Sequence, residues 1–506
     1  MSRARRTAAP RQSIVPVPLP RRTRRNQMHA IEADELSRSV VAYRKERQQD
    51  EEAELRAWKA ALTRRFARAG ELGTSGVPRG TFVGSTVLVA LVLHGRIIVA
   101  NCGDSRSGPL SQDHKMRLIS LVFPMENVTV LIVGAGPAGL ATAACLSQFS
   151  ISHVIVEREN CSGSLWRHRA YDRLKLHLGK EFCELPHMSY PADAPTYIPK
   201  NMFVKYLDDY IEHFNIQPKY LTSVESCIYD NDKKCWSIKV LDMAKCMTTD
   251  FTTQFLVMAT GENSAENIPM VSRLQSFPGE TIHSRNYKSG ERFYGKKVLV
   301  IGSGNSGMEI AYDLASHGAN SSIVIRSPIH VMTKELIRLG MTLARHLPLH
   351  LVDNLLVIGA NYIFGDLSRY GITRPKLGPM SLKSRTGRSA VIDVGTVGLI
   401  KKGIIKVQRE VTNIKGRTVE FQCGNKVSFD AIVFATGYKS TTNIWIKNNE
   451  SMLNENGMPI KEYPKHWKGE NGLYCTGLAR TGLAGIAMDV KNIANDINDM
   501  IGSFSN

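Results

Sequence analysis

Apolar and polar positions between residues 128 and 157 follow a strand, turn, helix and strand pattern. Residues 128–133 are mostly β-branched and almost all apolar, which is typical of a buried parallel strand. A glycine-rich segment follows, Leu140–Phe149 has helical character, and a second apolar run, His153–Val156, ends in Glu157. The pattern therefore predicts a β–α–β unit in which glycines join the first strand to the helix.

The same pattern recurs between residues 297 and 327. Residues 297–301 form an apolar run, and a second apolar run ends in Arg326 and Ser327. The turn between strand and helix holds three glycines, Gly302, Gly304 and Gly307. Two such units in one chain predict an α/β protein with two Rossmann-like dinucleotide-binding domains.

The glycines of the first turn point to a dinucleotide site. They are Gly134, Gly136 and Gly139. One glycine permits a tight turn, one lets the backbone approach a pyrophosphate, and one allows the helix to pack closely on the strand. The helix N-terminus offers free N–H groups to phosphates, and Glu157 is placed to accept a hydrogen bond from a ribose hydroxyl. A purely structural turn is the alternative, but the complete unit favours nucleotide binding.

The residue that ends the second strand distinguishes the two units. Where the first unit has Glu157, the second has Arg326 followed by Ser327. An arginine at this position suits a 2′-phosphate, which favours NADPH over NADH, although a simple surface arginine is the alternative. FAD in the first unit and NADPH in the second is the economical assignment.

Charge is concentrated at the beginning of the chain. The 506 residues carry a formal net charge of +19, and residues 2–28 contain eight arginines and no acidic residue. Such a tail is either a solvated, disordered arm or a nucleic-acid contact, and we expect the arm and no specific nucleic-acid partner. The moderate positive charge elsewhere would attract an anionic cofactor.

Cysteine usage indicates a reducing compartment. None of the nine cysteines forms a CxxC pair, which argues against a disulfide scaffold, a zinc ribbon and a dithiol reductase. No apolar leader opens the sequence, so we expect a cytoplasmic protein. An organellar transit peptide is the alternative, because the first thirty residues are basic and poor in acidic residues.

Residues 336–364 are unusually apolar, although Pro348 and Asp353 interrupt them. The segment Leu351–Ile363 is too short to span a bilayer. A buried helix pair is the preferred interpretation. A substrate-channel wall or a peripheral membrane contact, for example at the endoplasmic reticulum surface, is the alternative.

The first 124 residues differ in character from the rest. Residues 1–70 predict a basic tail followed by an exposed charged helix. Residues 71–124 contain two β-rich runs around His94–Arg96, a hairpin pattern that resembles the middle of 2C-type metal-dependent protein phosphatases. Asp104 alone cannot assemble the two-metal carboxylate site of that family. We therefore expect neither a metal site nor phosphatase activity here.

Motifs from residue 125 onward resemble those of class B flavin-containing monooxygenases. Phe277–Tyr287 has the form FxGxxxHxxxY, Ala259–Asn263 reads ATGEN, and Ala435–Tyr438 reads ATGY. Together with the two glycine loops, they make roughly 380 residues most similar to the plant YUCCA-type enzymes. The resemblance implies a discontinuous FAD domain, 125–290 and 426–506, with an NADPH domain, 291–425, inserted.

The resemblance also implies a reaction. NADPH would reduce the flavin, O2 would add at its C4a position, and the resulting peroxide would oxygenate a small-molecule substrate. The implied substrate is a 2-oxo acid, indole-3-pyruvate, which would be oxidatively decarboxylated to the auxin indole-3-acetate. A general N- or S-oxygenase and a non-catalytic fusion protein are the alternatives.

The matched motifs imply functional residues as well. They place His177 and Asn263 near the reacting groups, although His177 stands where many non-plant relatives have Asn, and an ordinary loop histidine is the alternative. Implied cofactor contacts are Trp166, His283, Thr436, Gly437 and Asp489. A 2-oxo acid would need a cationic partner, for which the unranked candidates are Arg285, Lys383 and Arg385.

Overall fold

The computed structural model describes residues 126–447 and 451–504, together with three strands nearer the start of the chain. These strands are β1 (Val87–Leu93), β2 (Arg96–Cys102) and β3 (Ile119–Ser120), and they form one small sheet in the order β1-β2-β3. The two predicted β-rich runs are therefore strands and neighbours in one sheet, whereas the predicted turn between them lies outside the described residues. The predicted tail and charged helix of residues 1–70, and Asp104, lie outside the described residues.

The first β–α–β unit forms as predicted. It consists of β4 (Glu126–Val133), α1 (Pro137–Gln148) and β5 (His153–Val156). The chain continues through α2 (Ser164–His168), α3 (Lys200–His213), β6 (Thr222–Asp230), β7 (Cys235–Asp242), β8 (Met247–Met258) and β9 (Ala265–Glu266). The resulting sheet has the order β5-β4-β8-β7-β6, in which β4 pairs in parallel with both β5 and β8.

The second unit also forms as predicted, after β10 (Glu280–His283). It consists of β11 (Lys297–Ile301), α4 (Asn305–Ser316) and β12 (Asn320–Val324). Next come β13 (Val331–Met332), α5 (Lys334–Leu343), α6 (Leu349–Phe364), α7 (Pro379–Thr386), β14 (Val391–Ile392) and α8 (Thr396–Lys401). The segment ends with β15 (Lys406–Gln408), β16 (Val411–Lys415), β17 (Thr418–Phe421), β18 (Lys426–Ser428) and β19 (Ala431–Phe434).

The last part of the chain contains short elements and one long helix. They are β20 (Tyr438–Lys439), α9 (Thr442–Trp445), β21 (Leu473–Cys475) and α10 (Gly482–Phe504). Strand β21 pairs in parallel with β8, so the chain end returns to the first sheet. Helix α10 packs against α1. Strand β20 pairs with β9, which joins the two segments that follow the Ala-Thr-Gly motifs.

The second sheet includes two strands that the expected boundaries at 290 and 426 place in the FAD domain. The second sheet is entirely parallel and has the order β10-β19-β11-β12-β15. Strands β10 and β19 therefore belong to the second sheet, whereas boundaries at 290 and 426 had assigned them to the FAD domain. Strand β19 pairs with both β10 and β11, and all four of its residues are buried, as in the centre of a parallel sheet. The return to the first sheet begins only after residue 434.

Both central strands show why parallel strands read as continuous apolar runs. In β4, Val130 and Ile132 face one core, whereas Leu131 and Val133 face another. Strand β11 divides its side chains in the same way between two cores. Since side chains alternate along a strand, burial of both faces requires an apolar residue at every position.

The apolar segment 336–364 forms the predicted pair of helices, α5 and α6, but only part of it is buried. Val352, Leu356 and Ala360 of α6 pack into the second core. Six other large apolar side chains of α6 are exposed, namely Leu349, Leu351, Leu355, Ile358, Tyr362 and Ile363. Within the part of the chain that the structure describes, no helix is long and apolar enough to cross a membrane.

Candidate functional site

The first glycine turn leaves open space at its middle glycine. Gly134 adopts φ +109°, and a Cβ atom there would lie 2.7 Å from the carbonyl oxygen of Ala259. A Cβ atom on Gly139 would overlap the carbonyl oxygen of Gly134, whereas one on Gly136 would meet nothing within 4 Å. Helix α1 begins after Gly136 without a side-chain cap, so N–H groups of its first turn remain available to a phosphate.

The second turn repeats this construction. Gly302 adopts φ +116°, and a Cβ atom there would overlap the carbonyl oxygen of Ala435. A Cβ atom on Gly307 would overlap the carbonyl oxygen of Gly302, whereas Gly304 again has open space around it. Helix α4 also begins without a side-chain cap. Both turns therefore fit a pyrophosphate in the same manner, and each packs against an Ala-Thr-Gly segment.

Glu157 lies beside the first turn. Its Oε2 atom accepts a hydrogen bond from the Ala135 N–H at 2.7 Å, and its Oε1 atom accepts one from the Glu159 N–H at 2.8 Å. Burial raises the pKa of the Glu157 carboxyl, and these backbone hydrogen bonds oppose the shift. Because each carboxylate oxygen has a second lone pair, the group can still accept a hydrogen bond from a ribose hydroxyl.

Arg326 and Ser327 follow β12 at the corresponding edge of the second sheet. The Arg326 side chain is 68% exposed, and its Nη1 atom lies 3.5 Å from Oε1 of Glu410. An exposed ion pair of this length contributes little to stability. The guanidinium group therefore remains available to a 2′-phosphate.

The FxGxxxHxxxY motif connects the second sheet to the motifs around it. A Cβ atom on Gly279 would overlap the carbonyl oxygen of Asp430, next to β19. The buried His283 has Nε2 at 3.0 Å from the Gly437 carbonyl oxygen, and its Nδ1 atom accepts a hydrogen bond from the Arg285 N–H. Burial lowers the pKa of His283. The structure thus gives both ring nitrogens backbone partners, which makes His283 a positioning residue for the second Ala-Thr-Gly loop.

The last residue of that motif positions α4. Tyr287 donates a hydrogen bond of 2.6 Å to Oδ2 of Asp313, which also accepts one from the Gly290 N–H at 2.8 Å. The second Ala-Thr-Gly segment is held similarly, because the Thr436 hydroxyl donates to the Asn267 carbonyl oxygen. Gly437 adopts a positive φ and leaves open space beside it.

His177 joins the two dinucleotide-binding regions. Its Nε2 atom lies 2.9 Å from Oε1 of Glu309, a buried residue of α4. The buried Tyr171 hydroxyl lies near Ser306 and Glu309, and burial raises the pKa of Tyr171. His177 therefore faces the helix that follows the second glycine turn.

Trp166 and Asp489 stabilise the first region. The Trp166 ring packs edge-on against Phe203, with ring centroids 4.6 Å apart. Asp489 has Oδ1 at 3.1 Å from Nε2 of His466, and both side chains are 2% exposed. Burial raises the pKa of Asp489, whereas His466 and the Gly477 N–H oppose the shift. A Cβ atom on Gly477 would lie 3.1 Å from Ala138 in α1, so Asp489 fixes a loop that packs on the first turn.

The other candidate site residues differ in exposure and in their ion-pair partners. Asn263 is exposed, just after the first Ala-Thr-Gly segment, and Arg385 is exposed near the end of α7. Arg285 faces Glu266, at 3.9 Å, whereas Lys383 is half-buried and has no ion pair with a described carboxylate. Among the described residues, no group of three or more His, Cys, Asp or Glu side chains is arranged to hold a metal ion.

Sequence reasoning missed the partners that hold these motifs. They are Glu309, Asp313, His466 and Arg480. One signal was available: Glu309 and Asp313 are the two charged residues of this helix and are four positions apart, so both lie on one buried face. Buried acidic groups need partners, and such a pair predicts contacts with distant parts of the chain.

The two sheets and two glycine turns define a two-domain flavin-dependent oxidoreductase. A profile of the pyridine nucleotide-disulphide oxidoreductase family matches residues 131–338. The flavin-containing monooxygenase from Stenotrophomonas maltophilia has the same fold, with a TM-score of 0.57 and 18% identity over 74% of this chain and all of that one. An open crystal structure of cyclohexanone monooxygenase gives a TM-score of 0.53 and 18% identity over 75% of this chain and 88% of that one.

Relatives of known name narrow the class. The chain is 50% identical over 383 residues to the probable indole-3-pyruvate monooxygenase YUCCA10 of Arabidopsis thaliana, a match that covers 76% of this chain and all of the relative. It is 43% identical over 401 residues to the indole-3-pyruvate monooxygenase YUCCA6 of the same plant, covering 77% of this chain and 95% of that protein. The chain belongs to the YUCCA family of flavin-containing monooxygenases, and its cofactors are FAD and NADPH.

Proposed function

We propose that this protein oxidatively decarboxylates indole-3-pyruvate to indole-3-acetate, and that it acts in auxin biosynthesis. The balanced reaction consumes NADPH, a proton and O2, and it releases carbon dioxide, NADP⁺ and water. The observation that carries the proposal is the 50% identity over the full length of a probable indole-3-pyruvate monooxygenase. Two open glycine turns of matching construction support the use of two dinucleotides in one reaction.

Each glycine turn would bind one of the two cofactors. Gly136 would face the FAD pyrophosphate and Gly304 that of NADPH, because both leave open space in front of an uncapped helix. Glu157 would accept a hydrogen bond from the FAD ribose, and Arg326 with Ser327 would bind the 2′-phosphate of NADPH. When bound, FAD supplies hydride acceptance from NADPH and the activation of O2.

Positioning of the two cofactors would depend on contacts between the two regions. The His177–Glu309 contact joins the loops after the first glycine turn to helix α4 of the second unit, and the hydrogen bond from His283 to Gly437 fixes the loop that follows β19. Asn263 follows the first Ala-Thr-Gly segment, and we assign it to the side of the site where the substrate reacts. Protein side chains act here by orientation and by exclusion of water, so the proposal needs no covalent nucleophile.

Product analysis tests this function. The purified protein is incubated with FAD, NADPH, O2 and indole-3-pyruvate, and indole-3-acetate is quantified against reactions without NADPH. We expect product only when NADPH is present, and little product from the Gly304→Ala variant. Oxidation of NADPH that yields only hydrogen peroxide would overturn the assignment of this substrate. Turnover of thioethers but not of 2-oxo acids would instead identify a general S-oxygenase.

We further propose that the protein contacts membranes peripherally, with the endoplasmic reticulum surface as one site and the cytoplasm as its compartment. Leu351, Leu355, Ile358 and Tyr362 are spaced by four, three and four residues, so they share one face of α6, and Tyr362 is 92% exposed. The exposed Arg345 precedes this face and would favour anionic lipids. Co-sedimentation with phosphatidylserine vesicles tests the contact, and a Leu355→Gln/Ile358→Gln variant should remain in the supernatant.

We propose that the monooxygenase activity does not require the first 124 residues. The segment 71–124 retains only Asp104 of the carboxylate site that a two-metal phosphatase needs. We therefore assign it no phosphatase activity. A chain that begins at residue 125 should keep the monooxygenase activity, and an equal loss of FAD binding and turnover in that chain would contradict this assignment.

A further inference from the structure

Three distant segments of the chain meet around Glu262. This residue follows the first Ala-Thr-Gly segment, Lys383 lies in the last turn of α7, and Arg480 precedes α10. The Lys383 ammonium and the Arg480 guanidinium both act electrostatically on the Glu262 carboxylate. The side chain of Arg480 also packs on Gly387, since a Cβ atom on that glycine would overlap its Cδ atom.

The charged groups of this cluster are incompletely paired. Oε2 of Glu262 is buried and has no hydrogen-bond partner among the residues described, although the Arg480 N–H stabilises the Glu262 carboxylate. Lys383 donates a hydrogen bond of 3.3 Å to the Gly387 carbonyl oxygen, and Arg480 donates one of 3.2 Å to the Thr386 carbonyl oxygen. Within 126–447 and 451–504, neither cation has a carboxylate oxygen within 4 Å. Two cations beside one carboxylate leave a net positive charge that a bound anion would neutralise.

Burial makes the charge of Lys383 costly to leave unpaired, whereas Arg480 is exposed to solvent. Burial lowers the pKa of Lys383, and the Glu262 carboxylate opposes that shift. The same burial raises the pKa of Glu262, whereas Lys383 and Arg480 oppose it. A partly desolvated cation that lacks a carboxylate within 4 Å binds an added carboxylate more strongly than an exposed one does.

The cluster lies next to the first glycine turn. Ala259, three residues before Glu262, packs against Gly134. Gly477, three residues before Arg480, packs against Ala138 in the first turn of α1. Helix α7 lies in the segment that connects β12 to β15, two strands of the second sheet. Segments from both dinucleotide-binding regions therefore meet at these cations.

The other two candidate cations have different surroundings. Arg285 has Oε1 of Glu266 at 3.9 Å, and Arg169 and Glu159 also lie in its surroundings. Glu159 donates its N–H to Glu157, so this group lies beside the residue proposed to bind ribose. Arg385 lies on α7 but is exposed to solvent. The geometry therefore favours Lys383.

We propose that Lys383 and Arg480 bind the carboxylate of the 2-oxo acid substrate. This inference rests on the proposed function, because it assigns a binding site to that substrate. Glu262 limits the positive charge of the site, so its carboxylate competes electrostatically with the substrate carboxylate. Removal of Lys383 and removal of Glu262 should therefore change substrate affinity in opposite directions.

Opposite changes in KM would distinguish a carboxylate-binding site from an ion pair that only stabilises the fold. If Lys383 and Glu262 only stabilised each other, Lys383→Gln and Glu262→Gln would have similar effects. For a carboxylate site, Lys383→Gln should raise KM for indole-3-pyruvate by about 10–100-fold, the range for loss of a hydrogen bond to a charged group. Glu262→Gln should leave KM unchanged or lower it. Arg385→Gln, the exposed neighbour on the same helix, is the matched control and should keep the wild-type KM.

The experiment measures KM and kcat for indole-3-pyruvate with the FAD-loaded proteins. Retention of FAD and the anaerobic rate of flavin reduction by NADPH show that each variant is folded, and we expect both to remain at wild-type level in Lys383→Gln. A wild-type KM in Lys383→Gln, or equal increases in Lys383→Gln and Glu262→Gln, would overturn the site while the proposed function stands. If the wild-type protein forms no indole-3-acetate, the proposed function fails, and the site fails with it.

Discussion

Nε2 of His177 lies 2.9 Å from Oε1 of Glu309, and this contact joins the two units for which we propose different dinucleotides. His177 belongs to the loops that follow the first glycine turn, whereas Glu309 lies in the second turn of α4, just after Gly304. Glu309 is buried and His177 is partly buried. A hydride can pass from one cofactor to the other only when the two regions are held in register.

Removal of this contact should slow flavin reduction. In Glu309→Ala, the His177 ring loses its acceptor, and we expect the anaerobic rate of flavin reduction by NADPH to fall by about 10–100-fold, as for a misplacement near 1 Å. Stopped-flow absorbance at the flavin band measures this rate. Glu309→Gln keeps an oxygen acceptor and should recover most of it. An unchanged rate in Glu309→Ala would show that the contact does not position the cofactors.

Two glycines of the second turn should give different phenotypes. Gly304→Ala places its Cβ atom in open space, so we expect a folded, FAD-containing protein whose KM for NADPH rises by about tenfold or more, because the methyl group would lie where the pyrophosphate binds. Gly307→Ala would overlap the Gly302 carbonyl oxygen and should destabilise the fold by about 1–3 kcal/mol or more. Thermal unfolding and NADPH saturation curves separate the two effects. Equal stability of the two variants would contradict this division of roles.

Arg326 should determine the preference for NADPH over NADH. Its guanidinium group is exposed and only weakly engaged with Glu410, so Arg326→Gln should leave stability unchanged. Loss of a hydrogen bond to a charged group should raise KM for NADPH by about 10–100-fold and change KM for NADH little. Arg369, an exposed arginine 3.9 Å from Asp366, provides a matched control as Arg369→Gln. A parallel increase of both KM values would show that Arg326 does not recognise the 2′-phosphate.

The sequence pattern predicted those parts of the site that depend only on neighbouring residues in the chain. Glycines at 134 and 302 could be predicted, because a tight turn between a buried strand and a helix needs them, and so could the acid or arginine that ends each second strand. The packing of these glycines on Ala259 and Ala435 could not, since such contacts join residues more than one hundred positions apart. No local pattern specifies them.

The sheet that β19 joins and the partner of Asp489 could not be predicted for one reason. Both depend on contacts between distant parts of the chain. An apolar strand that ends in Ala-Thr-Gly occurs in both sheets, so the sequence of β19 does not tell which sheet it joins. Pairing with β10 and β11 decides this. Similarly, His466 has an ordinary loop sequence around it, and only the fold places it against Asp489.

The buried His283 should make stability depend on pH. Burial lowers its pKa below the ordinary value of 6.5, while its ring holds the Gly437 carbonyl oxygen. In the unfolded chain the ring binds a proton as the pH falls below 6.5, whereas in the folded protein it resists protonation until a lower pH. The contribution of this residue is therefore fully present above pH 6.5 and is lost as the pH falls toward the folded-state pKa.

The measured quantity is the slope of Tm against pH. Thermal unfolding of the wild-type protein between pH 7.5 and 5.5 should show a decrease in Tm that is smaller in His283→Gln. Glutamine can still donate to the Gly437 carbonyl oxygen but does not titrate in this range. The exposed His346 serves as the control, and His346→Gln should keep the wild-type slope. Because the buried His330 also has a lowered pKa, His283→Gln should reduce the slope without abolishing it. Parallel Tm curves for wild type and His283→Gln would mean that protonation of His283 does not limit acid stability.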